Sequence, residues 1–82
     1  MTTETWSSAA SAELRAEVAR QQSSASQVAS AADMDRSTVA RKLNGSRAIT
    51  LDEFAAMSRA LAVDPSEMFD RTRNALTEKA IA

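Results

Sequence analysis

Arg36, Ser37, Thr38 and Arg41 put two guanidinium groups and two hydroxyls within a few residues of one another, with Lys42 next in line. A guanidinium is a fork of donors that can pair with O6 and N7 of guanine, a contact worth about 1–3 kcal/mol of discrimination. A serine or threonine hydroxyl can donate or accept, and the threonine methyl can meet the methyl of thymine. The chemistry within reach is therefore hydrogen bonding to base edges. Bond-making chemistry has much less to work with. Histidine and cysteine are absent, which removes the commonest general bases, thiol nucleophiles and zinc ligands. The single glycine excludes a glycine-rich phosphate loop. The carboxylate pairs Asp33/Asp35 and Asp52/Glu53 fall at a turn and at a helix start, where capping accounts for them. No enzyme, metal or cofactor is expected.

Base reading needs a rigid mount, and residues 24–44 have the pattern of one. Val28, Ala29 and Ala32 fall at i, i+1 and i+4 of a helical face. Val39 and Leu43 fall at i and i+4 of the next, and Met34 lies between. This spacing predicts two short helices folded together through a tight turn at Asp33–Met34. Ala29 is small where they would cross. The outer face of the second helix is left polar and cationic, the layout of a helix-turn-helix whose second helix enters a DNA major groove. Ser24 is the predicted N-cap of the first helix, with Gln27 as its capping-box partner. Asp35 caps the second, so Arg36, Ser37 and Thr38 fall in its first turn. Asn44-Gly45 ends it, with glycine in the left-handed position. A helix N-terminus also suits a phosphate, so Ser24, Ser26 and Gln27 are candidate phosphate contacts as well as capping groups. Arg41, one turn further along, can read a base or clamp a phosphate.

Three stretches carry a resemblance: S-A-S-Q-V-A at 24–29, D-R-S-T-V-A-R-K-L-N-G at 35–45 and L-D-E-F-A-A-M-S-R-A-L-A-V-D-P-S-E-M-F at 51–69. From about Leu14 to Phe69 the chain resembles the repressor DNA-binding domains of the phage C1/Cro type. The resemblance implies a compact bundle of five helices and sequence-specific DNA binding, usually as a two-fold dimer. It also implies phosphate contacts from Asn44 and from Arg47 in the following loop; turn chemistry is the alternative for Asn44. Two positions depart from the family pattern. Asp33 stands where the turn commonly has glycine. Lys42 stands where an apolar residue is usual, so either its stem is buried with the amine extended outward to phosphate, or the helix face is shifted.

Net charge is −1, which by itself argues against a general nucleic-acid binder, but the distribution of charge argues the other way. Arg36, Arg41, Lys42 and Arg47 share a twelve-residue stretch that holds no acid. Acids gather instead at Glu4, Glu13 and Glu17, and at Asp64, Glu67, Asp70 and Glu78. A local patch can hold phosphate while the remaining surface limits non-specific binding. The plain alternative is a solvated helix face. A chain of 82 residues buries only about 60% of its unfolded surface, so the core is thin. Abundant alanine with one glycine and one proline points to an all-helical chain. No apolar run reaches the length of a membrane span, and the start lacks the regions of a signal peptide, so a cytoplasmic protein is expected.

Around the mount, Trp6, Ala10, Leu14 and Val18 recur every four residues and predict a first helix from about 7 to 21. Met1 to Thr5 are expected to fray, and Trp6 to close one end of the core. Thr50-Leu51-Asp52-Glu53 is a second capping box, opening a fourth helix with Leu51, Phe54, Ala55, Ser58 and Leu61 inward and Ile49 and Val63 at its ends. Asp64-Pro65-Ser66-Glu67 opens a fifth, anchored by Met68 and Phe69. Leu76, Ala80 and Ile81 remain apolar without an evident partner, which suggests a homodimer contact; fraying is the alternative.

The expectation is an all-α chain, a compact five-helix bundle with a central helix-turn-helix, forming one DNA-binding domain over residues 1–82. It would occupy a double-stranded operator as a repressor, with no membrane or small-molecule partner. The reading from a different class is a protein-interaction module on the same fold, an antitoxin or adaptor, working through the acidic surface of the first and fifth helices.

Overall fold

Local chemistry at each helix end sets the boundaries of this bundle. The structure, a computed structural model, describes residues 5–81, and of 79–81 the backbone alone. Five helices follow in order: α1 Trp6–Arg20, α2 Ala25–Ala32, α3 Arg36–Leu43, α4 Leu51–Ala60 and α5 Pro65–Ile81. No strand occurs among the described residues, and the fold is all-α as expected.

Each of the first four starts has its side-chain acceptor. Ser24 accepts from the Gln27 N–H at 3.2 Å, and Asp35 from the Thr38 N–H at 3.1 Å. Thr50 accepts from the Glu53 N–H at 3.1 Å, while Glu53 accepts from the Thr50 N–H at 2.9 Å, closing a capping box. Such a cap stabilises its helix by about 1 kcal/mol. Two details differ from expectation. Thr5 does not fray: it forms a capping box with Ser8 and starts α1. Gln27 does not complete a box with Ser24, because its side-chain oxygen accepts from the Ser23 hydroxyl at 3.0 Å. Met1 to Glu4 lie outside the described residues.

The first four helices end by one shared device. Gln22, Asp33, Gly45 and Ala62 take left-handed φ values of 53°, 56°, 82° and 59°. The following N–H then reaches back five residues: Ser23 to Val18, Met34 to Ala29, Ser46 to Arg41 and Val63 to Ser58, all at 2.9–3.1 Å. This satisfies carbonyls that the helix leaves open. Only one of the four carries glycine; a side chain in that conformation costs roughly 1 kcal/mol.

The apolar faces meet in one cluster drawn from every helix: Leu14 of α1, Val28 and Ala29 of α2, Val39 and Leu43 of α3, Phe54 and Met57 of α4, and Met68 of α5, joined by Ala10, Leu61 and Val63. α1 packs against α3, α4 and α5, and α2 against α3 and α4. Half-buried Ala55, expected inward, falls outside it, and so do three large apolar residues expected in the core. Leu51, at the first position of α4, is 78% exposed. Trp6 is 49% and Phe69 43% exposed, and they cover each other instead, rings stacked with centroids 4.8 Å apart. Phe69 follows the fully buried Met68 by one residue, a rotation of about 100° that carries it off the inner face.

A buried carboxylate joins the helices on the α1–α5 side. Glu17 accepts from Gln21 at 2.8 Å and from Arg20 and Arg71 at 2.7 Å each. Gln21 donates again to the Leu61 carbonyl at the end of α4, 2.6 Å away. The amide of Gln21 and then the guanidinium of Arg71 hold the Glu17 carboxyl below the usual carboxylate range, against the opposing effect of burial. The same contact raises Arg71.

Candidate nucleic-acid interface

The α2–α3 pair turns at Asp33, whose left-handed backbone lets the chain reverse. Val28 and Ala29 on α2 and Val39 and Leu43 on α3 are buried together, with Met34 half-buried in the turn. The inward face of α3 is thereby fixed, and its outward face follows. Arg36, Ser37 and Arg41 are exposed, and Thr38 is half-buried. The carboxylate of Asp35 is taken by the Thr38 backbone and lies 3.5 Å from the Thr38 hydroxyl; it forms no ion pair with Arg36. Among the described residues no partner holds the guanidinium of Arg36, Arg41 or Arg47, all three exposed.

The other candidates are arranged around that face. Ser24, Ser26 and Gln27 are exposed at the start of α2, where Ser24 caps and Gln27 is bonded to Ser23. Asn44 is exposed, its side-chain oxygen accepting from the Ser46 N–H at 2.8 Å. Arg47 is exposed, its backbone N–H bonded to the Arg41 carbonyl at 3.3 Å.

Lys42 departs from the expected phosphate contact. It is 8% exposed, its Nζ donates to the Ala48 carbonyl at 2.5 Å, and it pairs with Glu53 Oε1 at 3.0 Å. Position 42 follows the buried Val39 by three residues, so its side chain shares that inner face. The amine extends along the protein toward α4 and is spent there. Glu53, receiving first the backbone N–H of Thr50 and also the amine of Lys42, is held below the usual carboxylate range despite its partial burial.

The C-terminal end of α3 has every last-turn carbonyl occupied. Asn44 N–H serves Ala40, and Ser46 and Arg47 N–H groups serve Arg41. The Lys42 carbonyl receives the Ser11 hydroxyl at 2.7 Å, and the Leu43 carbonyl receives Arg15 at 2.5 Å. Ser7 completes the set by accepting from the Ile49 N–H at 2.9 Å. These three α1 residues were invisible as site residues in the sequence, since their partners are backbone groups some thirty to forty residues away. The one available signal is Ser11, a polar residue beside the apolar stripe and three before Leu14. The arrangement is a short helix locked at one end and open at the other, with cations and hydroxyls on the open side.

A second surface has opposite character. Trp6, Ala10, Ile49, Leu51, Phe54 and Phe69 line a cleft of about 210 Å³ that gathers all three aromatic residues of the chain. Among the described residues no group of acidic side chains is placed to hold a metal ion, and no helix is long and apolar enough to cross a membrane.

Residues 9–69, from within α1 to the first turns of α5, match a family model described as a helix-turn-helix domain. No curated protein and no solved structure matches the chain.

Proposed function

Because the chain belongs to the helix-turn-helix domain family, we propose that it is a transcriptional regulator that binds double-stranded DNA sequence-specifically with α3 in the major groove. The observation that carries this reading is the outward face of α3, where Arg36 and Arg41 stand exposed and, among the described residues, unpartnered while the far end of the helix is locked to α1. Arg36, Ser37 and Thr38 are the base-reading residues in the first turn, with Arg41 reading a base or clamping a phosphate one turn on. Ser24, Ser26, Gln27, Asn44 and Arg47 touch the sugar–phosphate backbone and set the register. The whole chain acts as one such domain, of the phage-repressor kind, and silences by occupying an operator against polymerase. A two-fold dimer through α5 beyond Asp70 would place two α3 helices about one DNA turn apart. Leu76 is half-buried on that helix; Ala80 and Ile81 belong to the side chains outside those described.

The deciding experiment is selection from random duplex DNA at moderate salt, followed by sequencing of the bound fraction. A two-fold motif supports both groove reading and the dimer, and an asymmetric motif supports groove reading alone. Arg36→Ala should change the preferred base at one position, whereas Arg47→Ala should weaken all sequences alike and lower the salt slope by about one. No enrichment by the folded protein would remove the DNA reading.

A second reading, a protein-interaction module, is favoured by the exposed aromatic cleft, since tryptophan and phenylalanine are enriched at protein interfaces. Salt separates the two. Phosphate binding falls steeply with salt, and an apolar contact responds weakly.

A further inference from the structure

Residues 44–50 form the segment between α3 and α4 and carry Arg47. At its start the N–H groups of Ser46 and Arg47 are bonded to the Arg41 carbonyl at 3.1 and 3.3 Å. Near its end the Ile49 N–H is bonded to Ser7, and the Thr50 N–H to Glu53 Oε1 at 2.9 Å. Between these points, one residue beyond Arg47, the Ala48 carbonyl is held by Lys42 Nζ. Glu53 Oε1 also receives that Nζ at 3.0 Å, so one carboxylate oxygen ties the segment, the first turn of α4 and the inner face of α3 together. An apolar side chain at position 42 could fill the same space as the lysine stem. It would leave the Ala48 carbonyl without its donor and Glu53 without its cation. The amine therefore does something that packing alone does not require.

We propose that Lys42 is a positioning residue for the phosphate contact of Arg47: through Ala48 and Glu53 it fixes the Arg47 segment against α3 at the spacing that lets α3 read bases while Arg47 meets the DNA backbone. This rests on the DNA-binding reading. A loose segment must be ordered at the moment of binding, whereas a tethered one already holds the backbone that carries Arg47 in place. The tether also accounts for a cation on the inner face of α3, beside the exposed cations of the outer face but pointing away from them.

The test uses the full chain in four forms: Lys42→Met, which keeps the stem and removes the amine, Glu53→Gln, Arg47→Ala, and the Lys42→Met/Arg47→Ala double variant. Binding to the selected duplex is measured over a salt series, at a temperature where circular dichroism shows each form folded. Lys42→Met and Glu53→Gln should each weaken binding roughly 2–10-fold, the effect of one more group to be ordered on binding, with the preferred sequence unchanged. In the Arg47→Ala background Lys42→Met should add nothing, because the residue it positions is gone. If the Lys42 amine instead contacted phosphate itself, Glu53→Gln would bind as tightly as wild type or more tightly, and the two losses would multiply; either result overturns the proposal. Should Lys42→Met fail to fold, Glu53→Gln decides alone. A DNA-free readout separates failure of the tether from failure of the DNA reading. Backbone NMR order parameters at Arg47 and Ala48 should fall below the rigid value of about 0.85 in Lys42→Met, and unchanged order removes the tether whatever the chain binds.

Discussion

Glu17 and Glu53 each gather donors from more than one part of the chain, and they hold different things. Glu17, on α1, takes Arg20 from its own helix, Gln21 just beyond it and Arg71 from α5, so it closes the bundle from first helix to last. Glu53, on α4, takes Lys42 from α3 and the Thr50 backbone from the segment before it, so it holds the mount of the proposed reading helix. Both carboxyls are pulled below the usual range, by the Gln21 amide first in one case and by a backbone N–H first in the other. The same chemistry serves the scaffold in one place and the placing of a surface in the other. A stability measurement alone would not tell them apart; a binding measurement would.

Acidification breaks both together and is expected to have the largest effect. Because both folded-state values are lowered, the unfolded chain binds more protons once pH enters the carboxylate range. The stability these groups contribute is complete above the ordinary glutamate value and is lost as pH falls through the lowered folded values. The urea midpoint should be level from pH 7 to about 5 and drop below that. The Glu17→Gln/Glu53→Gln double variant should show a shallower drop over the same interval. A wild-type midpoint that rises on acidification would contradict the assignment of both pairs.

Breaking Glu17 alone should separate scaffold from mount. Glu17→Gln removes charge-assisted hydrogen bonds and should cost about 2 kcal/mol of unfolding free energy, read as a lower Tm or urea midpoint. DNA affinity of the folded variant should match wild type, in contrast to Glu53→Gln. Loss of affinity in a fully folded Glu17→Gln would end the division of labour. The smallest effect sharpens it within one cluster. The Arg20 side chain is 56% exposed against 31% for Arg71, so Arg20→Ala should shift stability by less than about 0.5 kcal/mol and Arg71→Ala by clearly more. Equal losses would mean that the link to α5 contributes no more than a surface pair.

Three helix starts were legible because each is decided within three residues: Ser24, Asp35 and Thr50 find their backbone donors at Gln27, Thr38 and Glu53, whereas the equally local box of Thr5 and Ser8 was passed over as a frayed end. The α2–α3 pair was legible from its apolar period for the same local reason. What escaped depends on partners distant in the chain. Lys42 stands out in the sequence as a lysine at an apolar position, but nothing local turns its amine inward until α4 supplies Glu53 beneath it. Ser11 and Arg15 read as the polar side of α1 until the end of α3 is set against them. Leu51 and Phe69 carry the right residue types for a core, but one stands at the tip of its helix and the other is rotated off the packed face. Hydropathy records side-chain type and not whether a neighbouring element covers it.

The placement of these two carboxylates along the chain also has a bearing on time. Synthesis delivers residues in order, at about 5–20 per second. Every group that locks α3, from Ser7 through Ala48 to Glu53, has been made before the ribosome reaches α5. Glu17 must wait for Arg71, which follows it by 54 residues. The Glu17–Arg71 link is thus the last of these side-chain ties between helices that a growing chain can make.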